Sequence, residues 1–432
     1  MNFKLMILSL FSFLTVQVVT VNALTISFIP NNVTIHEDDI ITIEYNVTDF
    51  NATEDEEEFI IDTEDENIVS IERDVILSHP QLNLRGLFNV TGKFLGKTTV
   101  ICKNVKTNLR ANGDLSVIVI RKNRIIDTVF TVSVAIFVSI IYINLGCAIN
   151  WSEIPTILKK PIGPSIGFCG QFILMPLLSY GLGLILFPDN PEMQLGLFFS
   201  GVAPPGGSSN IWAVLLEGNL SLSILMTTTS TVASFATMPL WIFTLGKVIF
   251  DKGNLEVPYT QITTYVLALV IPLAIGFFIQ RKYKRFADFM KQILKGLSIV
   301  LLLFIIIFAS VTNIYLFKLF SWKIIVASMA LPWLAYVLGY FTAYLFGQPY
   351  SNSITIAMKI GIQNTGIPIF LLRFALPQPE ADLITIVPVS VSVFTPIPLI
   401  CLFICLKVWT RLSQKKRELK SNTGIDNLAT CT

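Results

Sequence analysis

The sequence predicts an all-α polytopic membrane protein of about nine transmembrane helices, with a small N-terminal β-sandwich ectodomain. Three observations lead there. Of 432 residues, 53% are hydrophobic and only 14% charged, too apolar for a soluble chain of this length. Charge is segregated: residues 25–120 hold 17 acidic and 7 basic side chains, whereas the whole chain is +2. From Ile125 onward, apolar stretches long enough to cross a bilayer follow one another.

Residues 1–23 read as a signal peptide: Lys4, an apolar run from Leu5 to Val19, then Val21-Asn22-Ala23 in the small-residue cleavage pattern. A short anchor helix is the alternative. Residues 24–120 then form an extracellular domain. Sequons at Asn32, Asn46, Asn51 and Asn89 mark N-glycosylation there; those at Asn150 and Asn219 fall on the expected inner side and should stay bare. Alternating runs beginning at residues 24, 40, 67, 96 and 114 predict strands of a β-sandwich, Ig-like in size. The acidic run from Glu54 to Phe59 reads as a solvated loop, without the ligand spacing of a calcium loop. Of six cysteines only Cys102 lies in this region, which therefore has no internal disulfide.

The expected spans are 126–147, 163–187, 193–216, 220–246, 260–280, 293–314, 324–346, 352–376 and 383–406 within a transmembrane domain over 125–408, followed by a cytoplasmic tail over 409–432. An extracellular N-terminus and nine spans put the C-terminus inside. Lys159, Lys160, Arg281, Lys282, Lys284 and Arg285 and the Lys/Arg-rich tail then lie on the inner side, as the positive-inside rule requires. Arg121, Lys122 and Arg124 oppose it. The plasma membrane is the expected location.

Two spans are interrupted, the third by "GVAPPGGSSN" (201–210) and the eighth by "GIQNTGIP" (361–368). Glycine and proline weaken the backbone ladder, and the freed groups find partners only inside protein or along a wet cavity. One such break in each half is the pattern of an inverted-repeat secondary transporter; two kinked helices with packing roles are the bland alternative. Ser223 and Thr227, spaced i, i+4, put hydroxyls on one face of the fourth span.

At "GQFILMPLLSY" (170–180), "APPGGSSNIWAVLLEGNLSLSILMTTTSTVAS" (203–234) and "KIGIQNTG" (359–366), the chain resembles the sodium/bile acid cotransporter family over about residues 125–410. Its acidic N-terminal part resembles members with a large extracellular region. The resemblance implies inverted repeats divided into panel and core domains, with two crossing discontinuous helices, and entry of an organic anion, such as a bile acid or sulfated steroid, coupled to sodium. It implies a first sodium site at Ser209, Asn210, Ser223 and Thr227. A second would use Gln171, Gln363 and backbone near Ile360 and Ile362, and Asn364 and Thr365 would face the substrate cavity. The acidic residue that serves both sites is replaced here by Lys359.

That replacement puts sodium coupling in doubt. A hard cation wants oxygen ligands, preferably with formal negative charge; two like unit charges about 4 Å apart repel by roughly 4 kcal/mol at an effective dielectric near 20. Four roles are open to the lysine: a tethered cation in the vacated position, a proton carrier, a holder of substrate charge, or a side chain snorkelling to the interface. The last is within reach, since eight residues of helix rise about 12 Å against a half-core of about 15 Å.

Two functions compete: a secondary transporter of organic anions, and a transport-inactive receptor or scaffold working through its glycosylated ectodomain. The expected partners are a small organic anion, membrane lipid and, for the ectodomain, a protein; nucleic acid and resident cofactors are not. An enzyme is not expected. Both histidines, His36 and His79, lie in the ectodomain, and Asp127, Glu192, Glu217 and Asp382 sit at span ends.

Overall fold

The computed structural model describes residues 25–48, 58–72, 75–77, 84–122, 125–148, 161–290 and 321–429, with isolated positions between 292 and 307. The expected signal peptide, Asn51, Asn150, most of the acidic run and most of the sixth expected span lie outside the described residues. The chain divides into two compact units, Met1–Lys122 and Asn123–Thr432.

Among the described residues the regular elements of the first unit are all strands: β1 (Thr25–Ile29), β2 (Asn32–His36), β3 (Ile40–Thr48), β4 (Glu58–Thr63), β5 (Val69–Ile71), β6 (Val75–Leu77), β7 (Leu84–Gly92), β8 (Gly96–Asn104) and β9 (Arg110–Ile120). The order β5-β7-β3-β1-β9-β8-β4-β6 has β2 added beside β9. Alternation is the cause. In β8 every second residue from Gly96 to Asn104 is buried, and such residues from both sides of β9 share one apolar core that includes Phe28, Ile43, Phe59, Phe88, Val100 and Val117.

The expected strands reappear as β1, β3, β5, β8 and β9. The reading of the acidic run is corrected at its end: Glu58 and Phe59 open β4, because Phe59 and Ile61 alternate into the core at 7% and 1% exposure. β7 was hidden by Arg85 and Gly86, yet it pairs with β3 from Ile40↔Thr91 to Val47↔Leu84. Cys102 is free and buried, and burial pushes its thiol up to about 12.

The second unit is helical: α1 (Ile125–Ala148), α2 (Ile162–Leu186), α3 (Pro191–Val202), α4 (Ser209–Leu215), α5 (Leu220–Lys252), α6 (Tyr259–Lys282), α7 (Trp322–Leu345), α8 (Tyr350–Gly361), α9 (Gly366–Ala375), α10 (Glu380–Phe394) and α11 (Ile397–Ala429). Among the described residues five helical stretches are long and apolar enough to cross a membrane: α2, α5, α6, α7 and the α10–α11 run from Glu380 to Gln414. The third and eighth expected spans are broken, into α3/α4 and α8/α9. α11 continues through the expected tail boundary to Ala429; Leu, Gln, Lys, Arg and Glu between Arg411 and Lys420 favour helix over the first part of that extension.

α2 is not uniform. Its turn Gly170–Leu174 is a π-helix, which carries Gln171 to the buried side; such turns release a carbonyl and commonly mark functional positions.

Candidate functional site

The two breaks meet. Gly206 N–H donates to Ile362 O and Asn364 N–H to Pro204 O, each at 2.8 Å, so Pro205 and Gln363 form an antiparallel bridge. Backbone freed by one break is satisfied by the other, which is what an apolar surrounding demands. The approach needs glycine: a Cβ on Gly206 would stand 2.9 Å from Gln363 O.

Lys359 lies in the last turn of α8 and is 1% exposed. Its Nζ donates to Ser209 Oγ at 2.8 Å, to Asn210 Oδ1 at 2.7 Å and to Thr227 Oγ1. All three ammonium protons are thus directed to oxygens on α4 and α5. The side chain therefore points into the bundle and does not snorkel to the interface. A helix C-terminus favours a cation and offsets part of the burial cost; among the described residues no carboxylate is paired with this one.

The acceptors are arranged for a donor. The Ser209 hydroxyl gives its own proton to Gly206 O, and Thr227 gives its proton to Ser223 O at 2.9 Å, so both present lone pairs to the ammonium. Asn210 Oδ1 also receives Ser223 Oγ at 2.7 Å and lies 3.2 Å from Thr227 Oγ1. That oxygen is saturated.

A second polar knot lies one turn on. Gln171 Nε2 donates to Ala203 O at 2.7 Å and to Gln363 Oε1 at 2.8 Å. Gln363 Nε2 donates to Ile360 O at 2.6 Å. The carbonyls of Ile360 and Ile362 are therefore committed, the first to Gln363 and the second to Gly206. Beside them Asn364 is half-buried and Thr365 buried. The structure thus gathers Gln171, Ser209, Asn210, Ser223, Thr227, Lys359, Ile360, Ile362 and Gln363 around one crossing.

A sodium ion does not fit the first of these positions, where it would stand against Lys359 Nζ and an amide oxygen that already takes two hydrogen bonds. In the second, the carbonyls of Ile360 and Ile362 each accept one hydrogen bond and keep one lone pair.

The sequons differ in setting. Asn32 is exposed and Asn46 half-buried. Asn89 donates from Nδ2 to Glu72 at 3.2 Å and accepts from Thr42 at 2.8 Å. Asn219 instead caps α5, accepting from Leu222 N at 3.1 Å, and its Nδ2 donates to Asn352 Oδ1 at 3.0 Å.

Sequence reasoning missed two features. Asp382, counted as a span-end acid, is 1% exposed and paired with Arg373, tying α9 to α10, with Glu380 also buried. Arg373 in the apolar run before "PQPEAD" was the available signal. Asn144 of α1 is fully buried, with neither side-chain amide atom hydrogen-bonded among the described residues; no spacing pointed to it.

Among the described residues, five membrane-length helices and two interrupted ones that join at a buried polar centre define a polytopic membrane protein of the broken-helix type. A profile of the Sodium Bile acid symporter family matches residues 135–319, which include Gln171, Ser209, Asn210, Ser223 and Thr227. The ileal sodium/bile acid cotransporter of Cricetulus griseus is 30% identical over 307 residues, 70% of this chain and 85% of that protein. The hepatic sodium/bile acid cotransporter of Rattus norvegicus is 28% identical over 304 residues, 69% and 83%. The sodium-dependent organic anion transporter of Rattus norvegicus is 30% identical over 251 residues, 57% and 66%. The chain belongs to the sodium/bile acid symporter family.

Proposed function

We propose that this chain is a secondary transporter of organic anions, of the bile acid or sulfated steroid kind, in which a tethered ammonium replaces the coupling sodium. The observation that carries the reading is the triple donation of Lys359 to Ser209, Asn210 and Thr227. A fixed cation supplies the positive charge that holds the crossing together, so the centre is assembled without an ion from solution. Transport is then sodium-independent, and accumulation follows the gradient of the anion itself.

The arrangement fits nine spans in two inverted repeats, with the N-terminal domain and its glycans outside and the C-terminus in the cytoplasm of a plasma-membrane protein. What supports this is the pairing of one break from each half of the helical unit, together with the names of the relatives. Asn364 and Thr365, at the crossing, are the positions proposed to meet substrate.

The test is uptake of labelled taurocholate and sulfated steroids by cells expressing the chain, with and without sodium. Wild type is expected to take up substrate equally in both media. Lys359→Glu restores a carboxylate among the same oxygens and is expected to make uptake sodium-dependent. Background uptake by surface-expressed wild type in both media would overturn the transporter reading in favour of a receptor.

A further inference from the structure

A second site lies away from the polar crossing. A cleft of about 790 Å³ opens between α2 and α7 and closes on Ile360 of α8, a volume within the range of small-molecule sites. Its apolar rim is exposed, with Ile162 at 53%, Ile173 at 52% and Phe346 at 63%. In a membrane-spanning bundle such a rim faces acyl chains, so what reaches the cleft comes from the lipid phase.

Polarity along the cleft is graded. Pro161 and Ile162 lie at the start of α2, and Phe346 just past the end of α7. These ends share one level, because a Cβ on Gly163 would stand 3.3 Å from Gln348 Oε1. The two hydroxyls of the lining, Ser165 and Thr342, sit within a turn of those ends. Cys169 follows, and beyond it the walls are hydrocarbon: Ile173, Leu177 and Ile360. From Ile162 to Leu177 the helix rises about 22 Å. The cleft therefore runs from the level of the interface into the bilayer, with alcohol-binding groups at its mouth and none at its depth.

Among the described residues the lining carries no charged side chain, and its polar side chains are Ser165, Thr342 and Cys169. Those groups suit a neutral alcohol better than an anion, which seeks charge-assisted partners. We infer that this cleft binds a neutral, hydroxyl-bearing membrane lipid of the sterol class, with its hydroxyl between Ser165 and Thr342 and its ring body against Ile173, Leu177 and Ile360. The occupant touches the centre through one residue. Ile360 packs so closely on Gly170 that a Cβ there would lie 2.2 Å from Ile360 Cδ1; it follows Lys359, and its carbonyl holds Gln363.

The test uses the full chain in phosphatidylcholine nanodiscs with a photoactivatable cholesterol analogue. Adducts are expected on residues 161–177 and 342–346, suppressed by unlabelled cholesterol but not by taurocholate. Labelling there is expected to be lost in Cys169→Trp and in Thr342→Phe, which fill the cleft from opposite walls. It should persist in Ile185→Trp, a position on α2 that is 75% exposed and outside the cleft. Adducts spread evenly over lipid-facing helices, suppression by taurocholate, or undiminished labelling of folded filled variants would each overturn the proposal. Should neither filled variant fold, the wild-type adduct map and competition decide it.

Discussion

The two interrupted helices solve one backbone problem with opposite side-chain chemistry. The α3–α4 break is made by Pro204, Pro205 and Gly206 and presents acceptors, Ser209 and Asn210. The α8–α9 break spans Ile362–Thr365 and brings the donor, Lys359, with Gln363 beside it. Their tethers differ too. Beyond α4, Asn219 is held to α8 by neutral groups: its N–H donates to Thr355 Oγ1 at 2.8 Å and its amide to Asn352 at 3.0 Å. The outer part of α9 is held by the buried Arg373–Asp382 ion pair. The two breaks thus share their backbone hydrogen bonds while differing in side-chain charge, with Lys359 on one and neutral acceptors on the other.

Four substitutions test that contrast. Arg373→Ala strands the buried Asp382 carboxylate and is expected to cost the most, about 3–5 kcal/mol, because removing one member of a buried pair leaves an uncompensated charge; the thermal midpoint of the purified protein measures it. Thr227→Val removes one acceptor from the ammonium at nearly constant shape, for about 1.5–3 kcal/mol. The same change in a Lys359→Met background should cost clearly less, and a double-mutant cycle with no coupling would refute the tethered cation.

Gly206→Ala forces the two breaks apart, for about 1–3 kcal/mol. It should also weaken hydrogen-exchange protection of Asn364 N–H, whose acceptor is Pro204 O. Asn219→Ala deletes a cap and its amide link, the smallest loss at about 1 kcal/mol. If it cost as much as Arg373→Ala, the contrast between neutral and charged tethers would fail.

The amino-acid sequence by itself determined the membrane class, the alternating strands around Ile43, Val100 and Val117, and the positions of both breaks. Each of these is written locally, in hydropathy, in period-two patterning or in proline and glycine. Polar residues around "SSN", Ser223, Thr227 and "KIGIQNTG" marked the centre, but four roles stood open for Lys359. Only tertiary structure removed one of them, the snorkelling side chain, since Lys359 is 1% exposed. An ammonium's partners here are 132 and 150 residues away in the chain, and no local pattern reports a distance of that kind. The same reason hid the Arg373–Asp382 pair and the Gln171–Gln363 link. A charge placed by its sequence neighbours at a span end or near an interface is buried or solvated according to which helices pack on it, and that is decided only when the whole bundle closes.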